Sequence, residues 1–426
     1  MRFLIDKDTF SSVVKVSGRI AQKDTKMVIT LGGRDLGEKV LCLVRVTTPA
    51  EEIQYQLTAN KPDEWDSKGI KVAVNANKFI SIAESVISFG EDVYLEPEGA
   101  LLYIGCSNKA KTSLPIEAQM PEEMKDVNPM YAFRSEGSKL ASVLKKGCSF
   151  ASENVDLAAY LHMAILRLDV ANNLVKGYST NGNVCARAVT TVQFLTENEK
   201  NKAIVEKMRQ NVAEYCKAKG IEEKDFSLDL RIPHDAVTHL ISIVEDQKMI
   251  ALSVDANIIQ VQVGNVLQYN IAQGVKSGVP AQMVDVLMND EPTSAFGIDS
   301  ALIDKSINFI NKNNSITGSK CPVRLELETD KLSCISGEAD QVRTECKFSS
   351  SKGENIINLK GAYISSALSV LNKGGVVVNI YETPKGKYAT FLNGTMDACD
   401  TSAEILIMHV NVQSADEPAE EEISEE

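Results

Sequence analysis

The sequence lacks the short motifs that mark most enzyme active sites. It contains no phosphate-binding loop, no glycine-rich dinucleotide fingerprint, no Gly-x-Ser-x-Gly elbow, no HExxH and no CxxC. Histidine is scarce, and the only close pair, His234 and His239, has a spacing that puts the two rings on different sides of a helix. No two carboxylates have a spacing that indicates acid–base catalysis. We therefore predict no catalytic residue, no metal site and no cofactor.

Long apolar runs are also missing. No segment approaches the roughly 20 apolar residues of a membrane helix, and Met1–Asp6 lacks the long apolar stretch of a signal peptide. We therefore expect no membrane contact and a cytoplasmic location. The nine cysteines are odd in number and widely scattered, and Cys42 lies in an apolar run. This pattern favours buried, reduced thiols over disulfides.

Positive charge is in deficit. The net charge of −13 argues against a protein that holds a polyanion by bulk electrostatics, because neutralising phosphates requires clustered Lys and Arg. Part of the excess lies in the segment Gln413–Glu426, where seven of fourteen residues are acidic and none is basic. We expect this tail to be solvated and disordered. Any surface that faces nucleic acid must therefore be local.

What the sequence does contain is a repeated pattern of a short strand, a polar break and an amphipathic helix. A first set of helices is predicted at Asp8–Arg19, Ser138–Lys146 and Asp299–Lys312. A second set is predicted at Asn77–Val86, Pro233–Ile243 and Tyr363–Leu371, and each of these is followed by a β-hairpin, at Asp92–Tyr103, Ile250–Val263 and Val376–Leu392.

The repeat predicts an α+β architecture made of three copies of one β-rich domain, each built from two strand–helix halves. With 426 residues the chain is long enough for two to four domains. We place the domains at residues 1–125, 126–290 and 291–412, with the acidic tail at 413–426. Residues 196–223 break the symmetry and are predicted to be an extra, mostly polar helix inserted in the second domain.

The first helix of each repeat has a basic outer stripe. Phe10, Val13 and Val14 are predicted to be buried, while Lys15 and Arg19 face outward. The corresponding outer positions in the other repeats are Lys139, Ser142 and Lys146, then Lys305, Asn308 and Lys312, opposite an inner face of Leu302, Ile303, Ser306, Phe309 and Ile310. Lys78 adds a cation in the second set. A solvated helix face explains any single stripe, but recurrence in three repeats favours a common partner.

Several short segments resemble the bacterial DNA polymerase III β subunit, the sliding clamp, in the same order along about residues 1–412. They are Met1-Arg2-Phe3, Val16-Ser17-Gly18, Leu101–Ser107 before Ser113-Leu114-Pro115, Tyr160–Met163, Ser179–Asn183, Pro322–Leu325 and Ile405–Val410. The resemblance implies the DNA clamp fold, with sheet outside and two helices of each domain facing a central hole. It also implies a head-to-tail homodimeric ring around double-stranded DNA, bound without regard to sequence.

The same resemblance implies a function in DNA replication and a set of binding residues. The protein would be a processivity factor that tethers the replicative polymerase to DNA, with partner peptides from the polymerase, the clamp loader and repair enzymes. DNA-facing residues would be Lys15, Arg19, Lys23, Lys26, Lys78, Lys139, Lys146, Lys305 and Lys312. A hydrophobic groove for partner peptides would be lined by Leu161, Thr180, Gly182, Asn183, Val184, Cys185, Met288, Met408, His409, Val410 and Val412.

Two other interpretations stay open. Asn181-Gly182 also fits a plain type I′ hairpin turn, and Met408 and Val410 also fit a buried last strand.

The chain departs from the family at Val184, where the family has a basic residue, and at Lys312–Ser315, which is polar where the family has apolar dimer contacts. The alternatives to a ring are an interaction scaffold that kept the fold without encircling DNA, and an enzyme of unknown type.

Overall fold

The structure is a computed structural model that describes the chain except at 66, 108, 153–158, 224–225, 275–289, 319, 329–330, 337–341, 348–350, 372–373, 385, 394–400 and 411–426. The chain divides into two compact units. Unit 1 comprises residues 1–142, 165–175 and 191–278, and unit 2 comprises residues 143–164, 176–190 and 279–426. No helix in the described ranges is long and apolar enough to cross a membrane.

The elements are mostly short antiparallel strands with few helices. The helices are α1 (Lys7–Ser17), α2 (Ala76–Ile87), α3 (Gly137–Val143), α4 (Lys202–Lys219), α5 (His234–Val244), α6 (Ser300–Thr317) and α7 (Gly361–Val370). The strands up to residue 194 are β1 (Phe3–Ile5), β2 (Lys26–Asp35), β3 (Lys39–Thr47), β4 (Glu51–Asn60), β5 (Ile70–Asn75), β6 (Val93–Glu98), β7 (Leu101–Cys106), β8 (Ala110–Pro115), β9 (Tyr131–Ser135), β10 (Met163–Asp169), β11 (Leu174–Thr180), β12 (Val184–Thr191) and β13 (Gln193–Phe194).

The later strands complete both units. They are β14 (Leu228–Pro233), β15 (Ile250–Val254), β16 (Ile258–Val263), β17 (Leu267–Ala272), β18 (Ser294–Asp299), β19 (Val323–Leu327), β20 (Lys331–Ser336), β21 (Val342–Lys347), β22 (Ser351–Lys352), β23 (Asn355–Leu359), β24 (Gly375–Thr383), β25 (Gly386–Asn393) and β26 (Ser402–Met408). The three predicted hairpins are present as β6–β7, β15–β16 and β24–β25. Alternating apolar residues flanking turn residues were a sufficient signal for them.

Unit 1 contains a nine-stranded sheet in the order β13-β9-β15-β16-β17-β4-β3-β2-β5. Its middle junction pairs β17 with β4, so that Leu267 lies opposite Tyr55 and Ile271 opposite Glu51. This pairing joins strands of the first two predicted repeats into one continuous sheet. A second, four-stranded sheet has the order β1-β6-β7-β8.

Helices α1 and α2 pack as a pair over unit 1. The Asp6 carboxylate caps α1 by accepting a hydrogen bond from the Thr9 amide at 2.9 Å, and Asn75 caps α2 in the same way through the Lys78 amide at 3.0 Å. Phe10 and Phe79 meet edge to face, with ring centroids 6.0 Å apart. The caps fix where the helices begin, and the apolar stripes between them bury the predicted core residues.

The helix α3 is shorter than the sequence predicts, because it passes into a π-helical turn at Leu144–Cys148. A π turn holds more residues than an α turn, so it changes the phase of every side chain that follows. Lys146, predicted on the outer stripe, lies within this turn and is only 3% exposed. Ser142, which lies before the turn, is also buried. The prediction of an outward stripe is therefore wrong at these two positions.

The segment 196–223 contains the predicted inserted helix, α4. Val205, Met208 and Cys216 face the protein, while most other positions are solvated. The Asn211 side chain donates a hydrogen bond to the Pro129 carbonyl at 2.7 Å, and the Tyr215 ring lies 5.5 Å from that of Phe226. The insertion is thus fastened to the rest of unit 1 by a few side chains at one face.

Unit 2 contains β12-β26-β25-β24-β18-β22 as neighbouring strands of one sheet, and a four-stranded sheet in the order β21-β20-β19-β23. Helices α6 and α7 pack against each other, and the side-chain amide of Asn311 donates a hydrogen bond to the Ser365 hydroxyl at 3.0 Å. Ile303, Ile307 and Ile310 of α6 enter the core of this unit. The α+β fold class predicted from the repeat is confirmed.

One face of α6 differs from the prediction. Leu302 and Phe309, expected to be buried, are 49% and 52% exposed, and Ile316 is 74% exposed. Ser300, Ile303, Ser306, Ile307 and Ile310 take the inner face instead. The buried stripe of an α-helix covers little more than 100°, and Leu302 and Phe309 lie just beyond its edge.

Candidate functional site

A polar turn in unit 2 presents several of the predicted groove residues. The Asn181 side-chain oxygen accepts hydrogen bonds from the amides of Asn183 at 3.1 Å and Val184 at 3.0 Å, and the Asn181 amide donates to the Val184 carbonyl at 3.2 Å. Within the turn only Gly182 has positive φ, at 92°. A type I′ turn needs positive φ at both central residues, so the type I′ interpretation of Asn181-Gly182 is wrong.

The end of β26 lies directly beside this turn. The Met408 amide donates to the Asn183 carbonyl at 3.0 Å, the His409 amide to the Lys387 carbonyl at 3.1 Å, and the Val410 amide to the Asn358 carbonyl at 2.9 Å. These three bonds tie the last strand to the turn, to β25 and to β23. Met408, His409 and Val410 are all partly exposed, so the alternative of a fully buried last strand is not what the structure has.

The remaining groove candidates divide by burial. Gly182 and Asn183 are exposed and Cys185 is partly exposed, whereas Leu161, Thr180 and Val184 are buried. The Thr180 hydroxyl donates to the Val184 carbonyl at 2.7 Å, which indicates a role in holding the turn. Leu161 is engaged through its carbonyl, which accepts from the Ser152 amide at 2.6 Å. Met288 and Val412 lie outside the described residues.

Three further residues contribute to this surface and were not predicted from the sequence. Lys387 in β25 and Asn358 in β23 contact the groove through backbone hydrogen bonds. The hydroxyl of Tyr363 in α7 lies 3.5 Å from the side-chain amide nitrogen of Asn183. No motif marks them, because their placement depends on strand pairing across the unit.

His409 is held in its neutral form. Its Nδ1 accepts a hydrogen bond from the Asn358 amide at 3.2 Å, which requires that nitrogen to be unprotonated. Burial, and then the nearby Lys387 ammonium, lower the pKa of His409 below its ordinary value of 6.5. Protonation would break this bond and place two positive charges side by side at the end of β26.

The stability of unit 2 should therefore fall in mild acid. Because the pKa of His409 is lower in the folded state, the unfolded chain takes up its proton first, and stability is lost as the pH falls from above 6.5 through the folded pKa. Urea unfolding followed between about pH 7.5 and about pH 5 measures this loss. His409→Asn, whose side-chain oxygen can still accept from Asn358, should show a smaller loss; an identical pH dependence in the two proteins would contradict the assignment.

The predicted DNA-facing cations lie in both units and differ in exposure. In unit 1, Lys15, Lys23 and Lys78 are exposed, and Lys26 reaches the Gln119 carbonyl at 3.3 Å. Burial lowers the pKa of the Arg19 guanidinium, with the Glu245 and Asp246 carboxylates nearby opposing this effect. Lys139 forms an ion pair with Glu136 at 3.6 Å. In unit 2, Lys305 and Lys312 are exposed along α6.

The described residues include no group of three or more His, Cys, Asp and Glu placed to hold a metal ion. The eight described cysteines form no disulfide, and burial raises the pKa of Cys42 to about 11 and that of Cys148 to about 12, which removes both as nucleophiles at neutral pH.

Comparisons with known proteins give no match to any protein-family model. A curated tRNA(Ile)-lysidine synthase from Wolbachia pipientis wMel is 35% identical over 65 residues, which is 15% of this chain and 15% of that protein. The chain thus spans a small part of the length of the curated relative it matches, and this similarity carries no conclusion about function.

Solved structures match over almost the whole chain. The Helicobacter pylori beta clamp bound to a DNA ligase peptide has a TM-score of 0.73 and 12% identity, covering 97% of this chain and 100% of that one. The DNA polymerase III subunit beta from Pseudomonas aeruginosa has a TM-score of 0.72 at 12% identity, with the same coverage. The beta subunit from Thermotoga maritima has a TM-score of 0.74 at 11% identity, covering 96% of this chain and 99% of that one. Over nearly its full length, this chain has the fold of the bacterial DNA polymerase III beta clamps.

Proposed function

We propose that the protein is a sliding clamp: a ring of two copies, each of three clamp domains, that encircles double-stranded DNA and tethers the replicative polymerase to it. The observation that carries the proposal is the match of the clamp fold to 97% of the chain. A clamp acts through its shape, and a fold shared over almost the whole chain supports the same way of acting. The protein would need no catalytic residue for this task.

Closure into a ring is supported by two sheet edges. Among the described residues, β8 is the last strand of the four-stranded sheet of unit 1, and β21 is the last strand of the four-stranded sheet of unit 2. Each has a neighbouring strand on one side only. The free backbone groups of an edge strand can pair with another chain. We infer that β8 of one copy pairs with β21 of its partner. A dimer then has two such junctions, and both edges of each copy are paired.

Contact with DNA is supported by the exposed lysines of α1, α2 and α6. Lys15, Lys78, Lys305 and Lys312 are all solvated, and single cations of this kind meet phosphates without reading sequence. An acidic chain holds DNA weakly by this means, but a closed ring does not require tight binding. The buried Lys146 is excluded from this set.

Partner binding is proposed at the groove formed by the Asn181–Val184 turn and Met408–Val410. The Helicobacter pylori clamp, which shares the fold, has been solved with a DNA ligase peptide. Here the partly exposed Met408 and Val410 would hold apolar side chains of peptides from the polymerase and the clamp loader. His409, between these two residues, would make the groove partly polar.

Retention on circular DNA tests the ring. The protein should have dimer mass in solution and remain on a nicked circular duplex during gel filtration in salt that releases phosphate contacts. Cutting the same circle once should release it, because only topology holds it there. A strictly monomeric protein, or equal retention on circular and linear DNA, would favour a scaffold that does not encircle DNA.

A further inference from the structure

A pocket in unit 1 lies between the inserted helix α4 and strand β14. Its deeper part, about 230 Å³, is bounded by Tyr215, Ile221, Phe226 and Arg231. It continues into a wider cleft of about 850 Å³ that also includes Met124, Lys125 and Lys219. Tyr215 and Lys219 of α4 and Ile221 just after it line the pocket, so the insertion contributes to it.

The wall of the pocket is aromatic. The rings of Tyr215 and Phe226 lie 5.5 Å apart, and Phe226 stacks on Tyr131 with an interplanar angle of 18° and a centroid distance of 6.2 Å. Packed rings lose little freedom when a ligand binds. The deeper part is large enough for one apolar side chain.

Arg231 brings an unpaired guanidinium nitrogen to this pocket. The Nε of Arg231 is shielded from solvent and has no hydrogen-bond partner among the described residues. The nearest candidate on the same strand face, Asp229, is already bound at both oxygens by Arg167, at 2.8 and 2.9 Å. A buried guanidinium nitrogen without a partner is costly, and such a group requires an explanation.

The other polar groups at the pocket are also engaged. Gln273 accepts from the backbone amide of Arg231 at 3.1 Å and donates to the Asp255 carbonyl at 2.7 Å. The Asp255 carboxylate accepts from the amides of Asn128 and Ile258, both at 2.8 Å. Neither side chain forms a hydrogen bond with the Arg231 Nε.

Two more cations stand at the rim. Lys125 and Lys219 are exposed, and the Lys219 ammonium lies 6.0 Å from the centre of the Tyr215 ring. Exposed carboxylates nearby, Glu222 and Glu223, lie beyond Ile221 and do not line either part of the pocket. In a chain of net charge −13, three cations around one cavity mark a local site for an anion.

We propose that this pocket binds an acidic peptide segment of a partner protein, with a carboxylate paired to Arg231 and a neighbouring aromatic or aliphatic side chain inserted between Tyr215, Ile221 and Phe226. Guanidinium and carboxylate form matched two-point pairs, and an adjacent apolar wall adds affinity for a hydrophobic neighbour. The site is a second docking position, separate in sequence and chemistry from the groove at β26, and it does not require ring closure.

Fluorescence anisotropy with two labelled peptides tests the site. The probe is Gly-Glu-Asp-Leu-Phe-Gly, and the matched control replaces Glu and Asp by Gln and Asn. The acidic probe should bind the full-length protein saturably, and the neutral one at least about tenfold more weakly, because only the former compensates Arg231. Equal affinity for both peptides, or no saturable binding of either at millimolar concentration, would overturn the proposal.

Three variants locate the binding. Arg231→Gln removes the charge, and Ala256→Trp fills the shared wall of both parts without changing any charge. Each should weaken the acidic probe at least about tenfold. Arg134→Gln, which removes an exposed arginine that does not line the pocket, should leave affinity unchanged. Thermal unfolding establishes that the variants are folded, and wild-type affinity in folded Arg231→Gln and Ala256→Trp would reject the site.

Discussion

Replacing both Met408 and Val410 with glutamate is expected to abolish polymerase stimulation while leaving the oligomer mass unchanged. Both residues are partly exposed at the end of β26, with their backbones fixed by hydrogen bonds to Asn183 and Asn358. Burial of one apolar side chain against a ligand contributes about 1.5–3 kcal/mol, so losing two should weaken peptide binding by about 100-fold or more. Primer extension by the cognate polymerase measures the effect.

A control on the surface of unit 1 separates loss of the groove from a general loss of solubility. Leu36, in the turn between β2 and β3 of unit 1, is also an exposed apolar residue, and Leu36→Glu should stimulate the polymerase as well as wild type does. The mass of all three proteins is measured by light scattering. Unaffected stimulation in the double variant would place the partner site elsewhere.

Substituting Gly137 by alanine should destabilise unit 1 by about 3 kcal/mol, the upper end of the usual cost of overpacking. A methyl group on Gly137, the first residue of α3, would overlap the Val244 carbonyl at the end of α5 and lie 2.6 Å from the Gln247 carbonyl. Both neighbours are backbone and cannot rotate away, and the Gly137 amide itself donates to the Gln247 carbonyl at 2.9 Å. The midpoint of urea unfolding reports the change.

The matched control is Gly297→Ala in β18. No atom lies within 4 Å of the position that its methyl group would take, and its φ is not in the left-handed region. Since glycine inside a strand is unfavourable by roughly 0.5–1 kcal/mol relative to alanine, this change should be neutral or slightly stabilising. Equal unfolding midpoints for the Gly137 and Gly297 variants would show that α3 can move away from α5.

The sequence predicts the helix pairs and hairpins well because their signals are local. Asp6, Asn75 and Asp299 are capping residues directly before amphipathic runs, and each caps the helix that follows. Alternation on either side of a turn is likewise contained in a dozen residues. Features of this kind need no knowledge of the partner strand.

The departures come from longer-range packing. Nothing in the sequence near Lys146 announces a π turn, and that turn buries the lysine. The exposure of Leu302 and Phe309 depends on which third of α6 the sheet covers. At the groove, Met408 and His409 could be named from the resemblance, but Asn358 and Lys387 reach them through pairing across strands that lie far apart in the chain.

The proposed pairing of two different edges, β8 and β21, also determines how the assembly of copies into a ring would stop. A contact between different surfaces is heterologous, and nothing in the contact itself limits the number of copies; closure does. If the ring closes through these edges, opening one junction would expose one β8 edge and one β21 edge at the same time. At high concentration such an open form could capture a third copy, so growth into linear filaments competes with resealing.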